Sequence, residues 1–312
     1  MGNRFYSTVR TRVTAAVFAI LLLQCDPACA DGMKLEVIKL PALRVDGHAA
    51  TAHTQGLEIA GRSYYVTGRR EDVRPKRALL LRTEKGGSNW DLWDITPAAP
   101  VRAATALDHP GGMQSDGKRL WIPIAESRPK SYSIIRAFSL AGIAVNQPLK
   151  PDVEFHVKDH IGAVAVDAGR ALVIGANWDT EVVYVWDLAG HLKRTLTGSA
   201  LALRGLGVAN QNSGVAVQDW KVIGDRLFAS GLLKKAEPAS LSSSRWISFT
   251  NFLESDFRRM AVALPLRDGT ELAREAMAFS EGSIHFLPEE LGASKRLFRL
   301  PMTTLLNRKG LQ

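Results

Sequence analysis

The chain has 312 residues, of which 46% are hydrophobic, 23% charged and 7% aromatic. That balance belongs to ordinary globular proteins and excludes disordered, collagen-like and coiled-coil organisation. Forty Lys and Arg against 31 Asp and Glu give a formal charge of +9, and no apolar run beyond the first thirty residues approaches the roughly 20 needed to cross a bilayer, so no internal membrane span is expected.

Residues 1–30 have the form of a secretory signal. Arg4, Arg10 and Arg12 make a positive start, Val13 to Leu23 is an apolar stretch, and Ala28-Cys29-Ala30 has the small-residue pattern of a cleavage site. Cleavage there leaves residues 31–312 as the mature protein, with a net charge of +7 and no cysteine. Disulfide and thiol chemistry are then excluded. An acylated Cys25 after Leu21-Leu22-Leu23-Gln24, or an uncleaved anchor, are the alternatives. All of them put the domain outside the membrane, in a periplasmic or secreted location.

An internal repeat runs through the rest of the chain. The segments HTQGLEIAGRSYYVTG, HPGGMQSDGKRLWIPIAE, HIGAVAVDAGRALVIGAN, VAVQDWKVIGDRLFASG and EAMAFSEGSIHFLPEE each read as strand, Gly-containing turn, strand. Their turn glycines, Gly61, Gly117, Gly169, Gly224 and Gly282, are 56, 52, 55 and 58 residues apart. Further strand-like runs at 78–84, 131–140, 181–190 and 296–302 bring each unit to about four strands. The fold class expected is therefore all-β: a single-domain β-propeller of five blades of about four antiparallel strands. The early run 33–43 should add an outer strand to the last blade and close the ring. A sixth blade within 235–272 is the alternative.

Polar residues just before each inner strand of a propeller meet at one mouth. Aligning the repeats puts His53, His109 and His160 in register, with Ala216 and Arg274 in the last two repeats. Two positions later come Gln55, Gly111, Gly162, Gln218 and Ala276, with Asp219 beside Gln218. The loops after the second strands bring Arg69, Arg70, Glu126, Arg128, Asn177, Trp178, Asp179, Glu289 and Glu290 to the same mouth. The expected ligand site is His53, Gln55, His109, His160, Asn177, Asp179, Gln218 and Asp219, suited to a small polar or anionic molecule. His109, His160 and Glu126 are the candidate catalytic groups. The three histidines could hold a divalent metal such as zinc with an open position, or cap their strands, and Asp159 and Asp179 offer oxygens to calcium. The Gly111-Gly112 pair reads as a close backbone approach. The basic run Arg69, Arg70, Arg74, Lys76 and Arg77 could meet an anion or be a solvated loop. Most tryptophans read as core, with Trp178 free to stack on a ligand.

No G-x-S-x-G, H-E-x-x-H, Walker or C-x-x-C pattern is present, which removes support from the common motif-bearing enzymes. The first hairpin resembles the opening blade of plant-type glutaminyl cyclotransferases through T-Q-G-L-E, and the last, M-A-F-S-E-G-S-I-H-F-L-P-E-E, resembles their closing blade. The resemblance implies a five-bladed propeller and matches Gln55 to a glutamine at the channel mouth. The glutamate the family places in the second blade is missing, since this chain reads Pro110-Gly111-Gly112. The combination D-H-P-G-G, D-H-I-G-A-V-A, G-A-N-W-D and V-Q-D-W-K also looks like an uncharacterised group of secreted bacterial propellers. Three functions stay open: a small-molecule binder, a hydrolase, lyase or cyclotransferase with a His or carboxylate base, and a protein-interaction scaffold. A monomer without nucleic-acid partners is expected.

Overall fold

A computed structural model describes residues 35–98, 103–145, 147–207, 214–233, 243–262, 264 and 270–303. The proposed signal segment, with Cys25 and Cys29, lies outside the described residues. No helix among the described residues is long and apolar enough to cross a membrane.

Five four-stranded antiparallel sheets follow one another along the chain. The first is formed by Ala52–Ala60, Ser63–Arg70, Arg77–Glu84 and Asp91–Asp94. In the second, an inner strand broken into His109–Pro110 and Gln114–Ser115 is followed by Arg119–Ala125, Ser133–Ser139 and Val153–Val157. The third contains Ile161–Asp167, Leu172–Asn177, Val182–Asp187 and Leu192–Thr197, and the fourth Val215–Ile223, Arg226–Leu233, Ser243–Thr250 and Arg258–Val262. The fifth is built from Ala276–Ser280, Ser283–Leu287 and Arg296–Pro301, completed on its outside by the N-terminal strand Glu36–Lys39, which pairs antiparallel with Arg296–Arg299. The chain thus forms a five-bladed β-propeller closed by its own N-terminus, as the early apolar run implied. The stretch that could have held a sixth blade supplies the two outer strands of the fourth instead.

The hairpins turn where the repeat placed them. Gly61, Gly117, Gly224 and Gly282 all take positive φ, from 60° to 88°, which only glycine adopts without steric cost. The third blade departs from this: Gly169 is not left-handed, and Ala171 takes φ 55° in its place. The apolar core sits between the sheets. Trp121 of the second blade, for example, joins Val164, Val173 and Trp186 of the third in one cluster. Trp121, Trp220 and Trp246 are completely buried, which is the core role their composition suggested.

An inner strand has one unpaired edge, and its N–H groups need partners. Here they find side chains from other blades. Asp219 of the fourth blade accepts from Leu57 N of the first (3.2 Å) and Met277 N of the fifth (3.1 Å). Gln114 Oε1 accepts from Val166 N and Val222 N, and its Nε2 donates to Val222 O. Glu58 accepts from Ser115 N at 3.2 Å. Lys221 Nζ donates to Asp219 Oδ1 and to Met113 O, both at 2.6 Å.

The axis is closed by backbone as well. Gly112 N donates to Gly162 O and Val164 N donates to Gly112 O, each at 2.9 Å, so the inner strands of blades two and three bond to each other directly. The Gly111-Gly112 segment thus closes the ring between blades two and three, against the buried Glu58, Asp219 and Lys221 cluster.

Two carboxylates share one ammonium in that cluster. Burial pushes Glu58 up to about 7 and Asp219 up to about 6, against the pull of Lys221. An acid with a raised folded pKa holds its extra proton only in the native state, so its contribution is complete below its unfolded pKa and is lost as pH climbs through 7. Glu58→Gln mimics the protonated acid. Relative to the native chain it is expected to gain up to about 3 kcal/mol as pH goes from 4.5 to 7.5. Urea unfolding at both pH values checks this, and a pH-independent difference would mean that Glu58 is not held away from water.

Candidate functional site

His53 lies near the start of the first inner strand, opposite Arg69 of its neighbour. His109 opens the second inner strand opposite Ala125. His160 immediately precedes the third, with its carbonyl accepting from Trp178 N at 2.9 Å. The aligned positions two residues on are also structurally equivalent: Gln55, Gly162 and Gln218 each fall at a break in strand register. Such bulges re-aim side chains at the end of a strand.

The register brings the histidines together. Ring centroids of His53 and His109 are 6.3 Å apart and those of His109 and His160 5.3 Å apart. Trp178 stands edge-on to His160 at 4.5 Å and 6.2 Å from His109. It is held there by an unusual turn, since Asp179 and Thr180 both take left-handed φ, 59° and 56°. For a β-branched residue this conformation is costly. Thr180 is completely buried, and its Oγ1 accepts from Val217 N at 2.8 Å, which ties the turn to the fourth blade.

Each ring is anchored through Nδ1, and the partner fixes its tautomer. His160 Nδ1 faces the carbonyls of Glu126 (2.7 Å) and Arg128 (3.1 Å), so it carries the proton and leaves Nε2 as a bare acceptor. His109 Nδ1 accepts from Arg69 Nη1 at 3.0 Å, so its proton is on Nε2. His53 Nδ1 donates to Glu290 Oε1 at 2.5 Å.

The charge states follow from the same contacts. Burial lowers His160 to about 4, against the pull of the two carbonyls. Burial, with the neighbouring His160 and Arg69, holds His109 well below the ordinary imidazole value. For His53 burial is outweighed by Glu290, helped by Glu275, and its pKa is raised. The Nε2 atoms of His109 and His160 make no hydrogen bond with any described residue and are not sealed from solvent, and the same holds for the amides of Gln55 and Gln218.

The charged side chains of the rim are largely paired with one another. Arg69 Nε meets Glu71 at 2.5 Å, and Glu71 also binds Lys76. Arg70 pairs with Asp72, and Arg77 with Asp94. Three carboxylates thus answer four of the five cations of the basic run, and Arg74 donates to the carbonyls of Glu71 and Val73. A cleft of about 550 Å³ opens beside His53, lined also by Arg69, Glu71, Glu290, Leu291 and Lys295 among others.

Several expected ligand residues have polar atoms bonded within the protein. Asp219 is fully buried on the axis. Asn177 Nδ2 donates to Asp159 (2.8 Å) and its Oδ1 accepts from Val182 N (2.8 Å), so its amide braces the Trp178 turn. Asp179 lies in that turn, and its charge acts on His160. Glu126 is completely buried, with its carboxylate taken by Thr105 N and Arg128. The glycine pair is the tight approach expected: a Cβ on Gly111 would lie 2.1 Å from Gly162 O. Among the described residues no three His, Cys, Asp or Glu side chains are arranged to hold a metal ion. Arg69 also fixes the Nε2 proton of His109, which would have to leave before that nitrogen could bind a metal.

One mouth residue escaped the alignment. Glu275, only 5% exposed, precedes the fifth inner strand where the register had suggested Arg274. Burial raises it to about 7, opposed by the charges of His53 and Arg274.

Residues 49–253 match the model of DUF6454, a family of unknown function. No curated protein matches the chain. Among solved structures, the GH43 endo-arabinanase from Bacillus licheniformis is 11% identical with a TM-score of 0.52, covering 84% of this chain and 96% of that one. The GH43 protein BlXynB from the same organism is 9% identical with a TM-score of 0.54, over 84% of this chain and 54% of that one. At such identity the likeness is one of fold. The family match goes to a group without assigned function, and the glutaminyl cyclotransferase resemblance gains no support from it.

Proposed function

We propose, for a chain that belongs to DUF6454, a family of unknown function, that the propeller binds a small polar molecule in its cup-shaped mouth. The contacts would come from His53, Gln55, His109, His160, Trp178 and Gln218. The observation that carries this reading is that His109 and His160, 5.3 Å apart, are each anchored through Nδ1 while Nε2 bonds to no described residue. A strand-capping histidine would use its polar atoms within the fold, whereas these two hold one nitrogen in reserve. Asn177, Asp179 and Asp219 then act through the walls and floor.

His160→Ala is expected to weaken a ligand found by thermal-shift screening at least tenfold, about 1.4 kcal/mol. His191→Ala, at an exposed ring, should leave its affinity unchanged. Equal binding by native and His160→Ala protein would remove the mouth from the account.

A second reading, acid–base catalysis, is favoured by Glu275 alone. Its pKa of about 7 beside His53 is near the optimum for proton transfer at neutral pH, whereas His160 at about 4 is a weak base. Turnover lost in Glu275→Gln with binding retained would select this reading.

A further inference from the structure

From the pattern of hydrogen-bonding groups left open in the cup, we infer that its ligand is an uncharged polyhydroxyl compound, a sugar or polyol, rather than an anion. The inference rests on the mouth being a ligand site.

The groups available to a ligand are neutral and of both kinds. His160 Nε2 is an acceptor, because Nδ1 spends its proton on the carbonyls of Glu126 and Arg128. His109 Nε2–H is a donor, because Arg69 already donates to Nδ1. Gln55, 4% exposed, and Gln218 each bring an amide with both functions and no hydrogen-bond partner among the described residues. A hydroxyl is the group that donates to one neighbour and accepts from another, and several on one carbon frame match such a mixed set. Trp178 adds an aromatic wall beside them, against which C–H bonds pack.

Charge fits less well. An anion in the cup faces the bare lone pair of His160, and protonating that nitrogen from a pKa of about 4 costs about a thousandfold in affinity at pH 7. A cation faces the His109 N–H. Nearby, Arg69 and Lys76 share the single carboxylate of Glu71, and His53 pairs with Glu290. Lys295 stands on the cleft wall, where its charge acts on Glu289.

Calorimetric titration of the whole chain at pH 7 tests this, using D-glucose, D-mannose, myo-inositol and cellotriose against D-gluconate and inorganic phosphate. The expected result is that a neutral probe binds at least tenfold tighter than either anion. Its affinity should fall at least tenfold in both Trp178→Ala and His160→Ala. Gluconate or phosphate binding that strengthens as pH falls, and that His109→Ala abolishes, would overturn the inference and leave the mouth as an anion site. If no probe binds, the inference also fails, and the thermal-shift comparison of native and His160→Ala protein decides separately whether the mouth is a ligand site.

Discussion

Asp219→Asn is expected to cost about 3–5 kcal/mol of stability and to lower the melting temperature by on the order of 10 °C. The size follows from what Asp219 touches. Its carboxylate is wholly buried, neutralises an equally buried Lys221 at 2.6 Å and accepts from the inner strands of two other blades. The amide keeps the shape but not the charge, and leaves the buried ammonium without its hydrogen-bonded carboxylate, with only the charge of Glu58 acting on it. It also sets an N–H₂ against groups that are all donors. Lys221→Met should cost less, because Asp219, already raised to about 6, can take up a proton. Urea unfolding at pH 7 measures both. If Asp219→Asn removed ligand binding while stability changed by less than about 0.5 kcal/mol, Asp219 would be a mouth residue, as its position beside Gln218 first suggested.

Gly111→Ala is the second large effect. The added methyl would lie 2.1 Å from Gly162 O and 2.7 Å from Gly162 C. Neither can withdraw freely, since Gly162 O is bonded to Gly112 N and Val164 N to Gly112 O. Overpacking a core costs about 1–3 kcal/mol when side chains can move aside. Here backbone meets backbone, and a loss of at least about 3 kcal/mol, or failure to fold, is expected. Gly61→Ala serves as the control: nothing lies within 4 Å of its Cβ, and its φ of 60° limits the cost to roughly 1–2 kcal/mol. A Gly111→Ala protein as stable as Gly61→Ala would mean that the inner strands of blades two and three do not close the axis.

The propeller was legible because its period is written in turn residues, which local conformation alone demands. Gly61, Gly117, Gly224 and Gly282 keep that demand, and only the third blade moves it, from Gly169 to Ala171. The register of His53, His109 and His160 was legible for the same reason. What each polar residue does at the mouth was not, because one step along a strand decides whether a side chain meets a ligand or a neighbouring blade. Asp219 and Gln218 are adjacent, yet one is a buried counter-ion and the other an open amide at a bulge. Glu275 was missed by a single residue.

The T-Q-G-L-E stretch bears on fold more than on activity. Thr54 binds Glu289 O and Glu290, Leu57 N binds Asp219, and Glu58 binds Ser115 N. A Cβ on Gly56 would lie 2.9 Å from Met113 N. Four of its five residues thus make contacts between blades.

The most direct test of the mouth is the ¹⁵N spectrum of histidine-labelled protein at pH 6, which reports the protonation of each ring nitrogen. The structure predicts two neutral rings of opposite kind, His160 protonated on Nδ1 and His109 on Nε2, both lost in turn in the His160→Ala and His109→Ala proteins. Two rings that take up a proton at pH 6, or that exchange freely between tautomers, would contradict the arrangement from which the ligand site is argued.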